Sequence, residues 1–378
     1  MVYLLFFALT AFALLFISLP FFKKLDEPPT RHRISSIDGL RGFLAFAVVV
    51  NHFDSTLYTI KFSKWGTYHL FDGLLGEVGV SIFFMITGYL FWGKLLSSQG
   101  KTNWKILFVN RFFRIAPVYY AVLIPVLLIV GFATGFQIKV PPLSLVYSLF
   151  RWLFIGMQTM GDINTFQMMW VLGVVWTLRY EWLFYFSLIF TSYFIRKNVS
   201  LLFCIAGLIL GLVHLQFWHP DKPAIPLFLC GMLCATLKSM NVNIKSHDLL
   251  NSFIAVLSIV LIFTFFHTAT GVVQVLLLLV FFFLITITDS QLFGLLSLTG
   301  AKRISHVSYS LYLTHMSVLY LFFNTPAIKN FCKQGDNQFW LLTFVCTLIV
   351  IVTSSLCYYF IEKGGALAGK RFVKKYMQ

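Results

Sequence analysis

Long apolar runs separated by short polar stretches recur along this whole chain. Runs of about twenty predominantly apolar residues have the length that a helix needs to cross a bilayer. Because a helix satisfies its own backbone hydrogen bonds in lipid, the pattern predicts an all-α fold, a polytopic bundle of membrane helices. We expect about 11 transmembrane helices, at 1–22, 38–60, 78–98, 116–136, 170–195, 199–217, 223–240, 249–268, 270–289, 305–325 and 338–361.

The composition supports this class of protein. Of the 378 residues, 59% are hydrophobic and only 11% are charged, and the mean hydropathy is +0.84. These values are typical of a membrane protein rather than a soluble domain. The first apolar run occupies the position of a signal peptide. It lacks a preceding basic segment and is long, so we expect it to be a membrane span.

Basic residues are distributed unevenly over the predicted loops. If the N-terminus lies outside and the helices alternate in direction, 20 of the 29 Lys and Arg residues fall on the inner side and 7 on the outer side. Cytoplasmic loops carry such an excess, so this orientation places the C-terminus in the cytoplasm. The net charge of +16 then needs no nucleic-acid partner, because the basic loops lie beside anionic membrane lipid.

The ionisable residues Arg41 and His52 lie within one predicted span. Eleven residues at 100° each make three full turns plus about 20°, so both side chains point the same way, roughly 16 Å apart along the helix. Such residues usually mark a function, and a neutral imidazole suits general-base or nucleophilic chemistry. Alternatively, Arg41 extends to the inner surface and His52 makes one hydrogen bond between helices. Asp38, one turn earlier, favours the functional interpretation.

Two further ionisable residues, Glu181 and His315, lie at a similar predicted depth to His52. A carboxylate can orient an imidazole, as in a catalytic triad, and Glu181 is a candidate for that role. It can equally form a structural ion pair or hydrogen bond with another span. The sequence does not show whether the three residues meet. We expect no metal site, because one possible ligand per helix is not the spacing of a metal centre.

Arg111 and Arg114 are three residues apart and share a helix face at the predicted inner surface. The simpler interpretation is a positive-inside anchor. The functional alternative is a binding site for the phosphates of a cytoplasmic donor, since one guanidinium group can donate two parallel hydrogen bonds to a phosphate.

Taken together, these segments form an ordered set. In chain order they are Asp38 to Gly42 with His52, Gly79 to Tyr89, Arg111 to Pro117, Trp176 to Glu181, Ser308 to His315 and Tyr358 to Glu362. The set resembles the acyltransferase family 3 membrane proteins, which include bacterial O-antigen and other glycan O-acetyltransferases. The resemblance implies an acyltransferase domain at 35–363, with an extra N-terminal helix and linker at 1–34 and a basic cytoplasmic tail at 364–378. One departure is Gly364-Gly365, where many members have a proline.

The resemblance implies transfer of an acyl group, above all acetyl, from cytoplasmic acetyl-CoA to a hydroxyl of an extracytoplasmic glycan or lipid-linked glycan, in a bacterial inner membrane. We expect no permanently bound cofactor, since acetyl-CoA is a substrate. His52 would either accept the acyl group or deprotonate the acceptor hydroxyl. The roles implied are catalytic for His52, Glu181 and His315, donor-binding for Arg41, Arg111 and Arg114, and supporting for Asp38, Trp176 and Tyr309.

Two other classes of protein remain open. A transporter or flippase of a lipid-linked or acyl-bearing substrate would also have charged residues at mid-depth, although no inverted repeat is evident. A membrane assembly factor without catalysis would leave the aligned Arg41 and His52 unexplained. Only the enzyme needs turnover of an acyl donor. The oligomeric state cannot be deduced from the sequence.

Overall fold

The computed structural model describes residues 2–26, 34–155, 161–195, 197–218, 223–242 and 247–377. The described parts are built from α-helices. In chain order these are α1 (Val2–Ser18), α2 (Ser35–Phe62), α3 (Leu70–Ser97), α4 (Trp104–Thr134), α5 (Pro142–Leu153), α6 (Met169–Leu172), α7 (Trp176–Thr191), α8 (Lys197–Phe217), α9 (Ala224–Ser239), α10 (Asp248–Phe265), α11 (Val272–Ile287), α12 (Thr299–His306), α13 (Ser308–Phe323), α14 (Pro326–Cys332), α15 (Asp336–Cys357) and α16 (Lys363–Tyr376).

Several of these helices can cross a membrane. Within the described residues, six helical segments have the necessary length and apolar composition, namely Ser35–Phe62, Leu70–Ser97, Trp104–Thr134, Val199–Phe217, Asp248–Phe265 and Asp336–Tyr376. Three shorter apolar helices accompany them, at Tyr3–Ser18, Ala224–Ser239 and Val272–Ile287. The prediction of an all-helical membrane protein is therefore confirmed. The number of 11 crossing helices and the orientation of the termini stay predictions. The basic residues Arg31, Arg33, Arg196, Lys222 and Lys245 lie outside the described residues.

The span predicted at 170–195 is interrupted. It consists of α6, a 3₁₀ turn at Gly173–Val175, and α7. Side chains of α13 supply hydrogen bonds at the break: the Ser317 hydroxyl donates to the Val171 carbonyl (2.8 Å) and the Tyr312 hydroxyl to the Val174 carbonyl (3.0 Å). Inside a membrane a helix can be broken only where such partners satisfy its freed backbone groups.

The last predicted span, 338–361, is part of a longer helical element. A π-helical turn at Tyr358–Glu362 joins α15 to α16, so helix continues to Tyr376. In α16, Gly365 and Gly369 lie directly against Phe113 of α4. The segment predicted as a tail is thus packed on the bundle. π-Helical turns are frequent at functional sites, and this one contains Glu362, a residue of the site described below.

The centre of the bundle is formed by α2 and α3, which run antiparallel through the connection 63–69. Glycines let their neighbours approach closely. A Cβ atom on Gly42 would collide with the Ala301 carbonyl of α12, and one on Gly88 with the Phe228 carbonyl of α9. We call the end of the bundle where α2 begins the Arg41 end, and the end where α3 begins the His69 end.

The N-terminal helix α1 is attached at the Arg41 end by the buried guanidinium of Arg303. This group donates to both carboxylate oxygens of Asp26 (2.7 and 2.9 Å) and to the carbonyls of Ile17 (2.9 Å) and Leu19 (3.0 Å). The Arg303 guanidinium holds the pKa of the Asp26 carboxyl below its usual value. One arginine therefore fixes both the end of α1 and the chain that follows it.

Candidate active site

Two cavities lie next to each other between α2, α3, α7 and α13. The arginine cavity, of about 160 Å³, contains Arg41, Arg111, Arg114 and Glu181 in its wall. The histidine cavity, of about 490 Å³, is lined by His52 and by Trp65, Glu77, Trp176, Tyr180 and His267, among others. Val80, Phe84 and Tyr312 belong to the walls of both. A single layer of side chains thus separates the two cavities.

The arginine cavity brings together the three arginines selected from the sequence. Arg41 comes from α2, and Arg111 and Arg114 come from one face of α4. Arg41 Nη2 donates to the Ser308 hydroxyl (3.0 Å). The Arg111 guanidinium lies over the Phe91 ring, 4.6 Å from its centroid. Three guanidinium groups around one small cavity form a site for an anion, because each offers several fixed N–H donors.

Arg114 is oriented by Glu362, which is not among the site residues predicted from the sequence. Its Nε atom lies 3.9 Å from Oε1 of Glu362, which is buried in the π-helical turn. The other carboxylate oxygen of Glu362 accepts a hydrogen bond from the Ser310 hydroxyl (2.7 Å). A signal that could have found Glu362 is its place in the segment Tyr358 to Glu362, one of the ordered set of segments in the sequence.

Glu181 also lies at the arginine cavity and accepts a hydrogen bond from the Tyr185 hydroxyl. Trp176, five residues earlier, lines the histidine cavity. Tyr180, one turn after Trp176, also lines the histidine cavity, so two faces of α7 serve the two cavities. The structure therefore groups Glu181 with the arginines rather than with His52 and His315.

The two histidines meet. Nδ1 of His52 lies 3.3 Å from Nε2 of His315 and 2.8 Å from the Val48 carbonyl oxygen. Nδ1 of His315 lies 2.9 Å from the Leu311 carbonyl oxygen. Carbonyl oxygens only accept hydrogen bonds, so in the neutral rings each Nδ1 carries the proton. His315 Nε2 is then an acceptor for the His52 N–H. This network assigns the tautomers of both rings.

The assignment leaves Nε2 of His52 with a lone pair that no described residue contacts by a hydrogen bond, on a side chain that lines the histidine cavity. His315 is fully buried and does not line either cavity. It stands behind His52 in the position that a carboxylate occupies in a triad. This arrangement suits His52 as a nucleophile or general base, because a positive charge developing on its ring would strengthen the Nδ1–H hydrogen bond.

The wall of the histidine cavity combines aromatic rings with fixed polar groups. The ring centroids of Trp65 and His52 are 6.0 Å apart. Trp176 and Tyr180 are packed edge to face, with ring centroids 5.7 Å apart. Glu77 is held by the Thr268 hydroxyl (2.8 Å) and by the backbone N–H of Ala269 (2.7 Å). Aromatic faces beside polar groups are typical of sites that bind amphipathic ligands.

The supporting residues also have defined positions. Tyr309 lines the arginine cavity and donates its hydroxyl proton to the Ile115 carbonyl (2.9 Å). Asp38 lies in the first turn of α2, where a negative charge stabilises the helix N-terminus. Trp65, Glu77 and His267 also line the histidine cavity and are not among the residues predicted from the sequence. Trp65 and His267 lie in loops, and Glu77 lies two turns into α3, just before the segment Gly79 to Tyr89.

Most of the chain matches a known protein family. Residues 34–359 match the family model described as an acyltransferase domain. No match to a curated protein or to a solved structure was found. The matched region contains Arg41, His52 and His315, and so both cavities and the histidine pair fall within it. Because the match covers far more than half of its length, this chain belongs to acyltransferase family 3.

Proposed function

We propose that this membrane acyltransferase moves an acetyl group from cytoplasmic acetyl-CoA to a hydroxyl of an extracytoplasmic glycan or lipid-linked glycan, with His52 at the acyl centre. The observation that carries the proposal is the pair of adjacent cavities. Three guanidinium groups line one of them, and a histidine with a free ring nitrogen lines the other.

The arginine cavity suits the donor. The phosphates of acetyl-CoA would bind to Arg41, Arg111 and Arg114 in paired charge-assisted hydrogen bonds. The excess of basic residues at the Arg41 end of the predicted topology supports a cytoplasmic location for this end. The cavity is too narrow for the nucleotide, so the nucleotide would lie at its mouth and the pantetheine arm would extend inward.

The thioester must then reach His52. Along α2, Arg41 and His52 are separated by roughly 16 Å, a distance that an extended pantetheine arm can span. Val80, Phe84 and Tyr312 separate the cavities, and we infer that these side chains move aside to admit the arm. The layer would also keep water and ions from passing through when no donor is bound.

Two chemical routes are compatible with this geometry. In the first, Nε2 of His52 attacks the thioester carbon, the C–S bond breaks, and CoA leaves as the thiolate. The acceptor hydroxyl then attacks the acyl-imidazole, the bond between the acyl carbon and Nε2 breaks, and the hydroxyl proton passes to the CoA thiolate, which regenerates His52. In the second, His52 takes the hydroxyl proton while the hydroxyl oxygen attacks the thioester carbon; the C–S bond breaks and His52 returns the proton to the CoA thiolate. In both routes His315 stabilises the charge that develops on the His52 ring.

The acceptor would enter the histidine cavity from the His69 end. This cavity is about three times as large as the arginine cavity. Its aromatic side chains Trp65, Trp176 and Tyr180 offer flat apolar faces, and His52 lies in the wall of the same cavity. A sugar has one apolar face and a rim of hydroxyls, so such a wall suits it.

The test is transfer of labelled acetyl from acetyl-CoA into membrane glycan. Vesicles with the wild-type protein are compared with vesicles that contain equal amounts of the His52→Ala or His214→Ala variant. His214 lies on α8, outside both cavities. We expect label with the wild type and with His214→Ala, and background with His52→Ala. Normal transfer by His52→Ala would refute the role of His52.

A transporter or flippase of a lipid-linked or acyl-bearing substrate would give a different result. It would release no CoA above background in the wild-type vesicles. Measuring free CoA thiol in the same samples therefore separates the two functions. It also separates an unsuitable glycan acceptor, which would leave slow CoA release by hydrolysis, from the absence of acyl transfer chemistry.

A further inference from the structure

Three chemically active side chains meet at the His69 end of the bundle, outside both cavities. Asp54 lies near the end of α2, His69 directly precedes α3, and Asp72 lies in the first turn of α3. His69 Nδ1 is 2.7 Å from Asp54 Oδ1 and 3.7 Å from Asp72 Oδ2. The sequence shows no such cluster, because the turn between α2 and α3 brings its members together.

Asp72 is the unusual member. Its side chain is 1% exposed, and neither carboxylate oxygen has a hydrogen-bond partner among the described residues. Asp54 is also buried, with a fully enclosed side chain. Two buried carboxylates beside each other repel, and an unpaired buried charge is costly. The pair needs either a proton or a cation between its members.

The geometry suits a metal ion. One ligand atom from each of Asp54, His69 and Asp72 lies within 4.8 Å of the other two. Tetrahedral donors at about 2.0–2.2 Å from one ion lie about 3.3–3.6 Å apart, so small movements of these three side chains would bring their ligand atoms onto one ion. An imidazole together with two carboxylates favours a transition ion such as Zn²⁺ over Ca²⁺ or Mg²⁺, which prefer oxygen ligands alone.

The surroundings already hold one ligand in place. Asp54 Oδ2 accepts hydrogen bonds from the backbone N–H groups of Tyr68 (2.5 Å) and His69 (3.1 Å). Such second-shell hydrogen bonds orient the carboxylate and leave Oδ1 for the ion. The side chain of His69 is 28% exposed, so an ion can enter from the surface. Three protein ligands leave one position for water or a substrate oxygen.

We propose that Asp54, His69 and Asp72 form a binding site for one divalent transition-metal ion, with Zn²⁺ as the favoured ion. The ion would replace the proton between His69 and Asp54 and would neutralise Asp72. It would also fix the 63–69 connection, which contributes Trp65 and Thr67 to the wall of the histidine cavity. The proposal concerns metal binding alone and does not depend on acyl transfer.

The experiment uses the purified full-length protein in detergent, without acyl donor. Zinc content is measured after dialysis. The Zn²⁺ affinity is measured by titrating the chelator-treated protein with Zn²⁺, and the midpoint of thermal unfolding is measured with and without Zn²⁺. The variants are Asp72→Asn and His69→Gln. The matched control is Asp336→Asn, since Asp336 is an acidic residue at the same end that pairs with Lys61 (2.5 Å).

We expect about one Zn²⁺ per chain for the wild type and for Asp336→Asn, and a higher thermal midpoint with Zn²⁺. Loss of a hydrogen bond to a metal ligand typically weakens metal affinity about 10- to 100-fold. Asp72→Asn and His69→Gln remove a ligand itself, so each should weaken Zn²⁺ affinity by more than about 100-fold. Asp72→Asn removes an unpartnered charge and should fold without metal. Equal Zn²⁺ affinity in Asp72→Asn and wild type, or no Zn²⁺ binding by the wild type, would overturn the proposal.

Discussion

Replacing His315 tests whether it acts through His52. We predict that His315→Leu lowers kcat without raising KM for acetyl-CoA, because His315 lies behind His52 and lines neither cavity. Leucine fills much of the imidazole volume but accepts no hydrogen bond. The variant therefore removes the acceptor for the His52 N–H while leaving the cavities in place.

The size of the effect follows from the two acceptors of that N–H. In the ground state the Val48 carbonyl, at 2.8 Å, is nearer than His315 Nε2, at 3.3 Å, so the tautomer of His52 survives the substitution. When the His52 ring becomes charged, a hydrogen bond to it contributes about 1.5–3 kcal/mol. At 1.36 kcal/mol per tenfold, kcat should fall by roughly 10- to 150-fold. His52→Ala, in contrast, should lose all transfer.

The assay is CoA release and label transfer at saturating acetyl-CoA, with equal amounts of folded protein in vesicles. His315→Gln is the matched control, since its amide oxygen can accept the His52 N–H, and it should retain more activity than His315→Leu. If His315→Leu keeps at least half of the wild-type kcat, the histidine pair has no catalytic importance. If the Leu and Gln variants lose the same activity, His315 acts by packing alone.

Three further predictions concern other contacts. Glu362→Gln removes the charge that pairs with Arg114 and should raise KM for acetyl-CoA about fivefold, since the Arg114 side chain is 38% exposed and an ion pair open to solvent on one side contributes about 1 kcal/mol; an unchanged KM in steady-state kinetics would contradict this. Gly42→Val places a branched side chain against backbone and should lower stability by about 1–3 kcal/mol, measured by thermal unfolding in detergent; an unchanged midpoint would show that α2 can shift away from α12. Asp26→Asn should loosen α1 and remove the part of the free energy of unfolding that depends on acid pH. Because Arg303 lowers the folded-state pKa of Asp26, the stabilisation by the Asp26 carboxylate is present above about pH 4 and is lost as pH falls through the lowered pKa. Melting curves that change equally with pH in both proteins would count against it.

Part of this structure follows from local patterns in the sequence. Apolar runs specify membrane helices, and the 3.6-residue period places Arg41 and His52 on one side of α2. The spacing of Arg111 and Arg114 likewise places both on one face of α4. These predictions depend only on residues in the same helix, and so they need no knowledge of neighbouring helices.

Other parts depend on contacts between distant segments. His315 meets His52 only because α13 lies against α2. Glu181 lies with the arginines because its face of α7 is turned toward α4 and the arginine cavity. The break at Gly173–Val175 likewise depends on hydrogen bonds from α13. Asp72 was placed in a loop, because the span was predicted to begin at residue 78 and α3 in fact begins at Leu70.

The π-helical turn that holds Glu362 has a consequence for biosynthesis. Ribosomes make a chain from its N-terminus, so Arg41 and Arg114 enter the membrane long before Glu362 is made. Until then Arg114 lacks its acidic partner and Gly365 has not yet packed against α4. A ribosome-stalled chain that ends near residue 340 would thus have both histidines but an unfinished anion site, which α15 and its π-helical turn would complete.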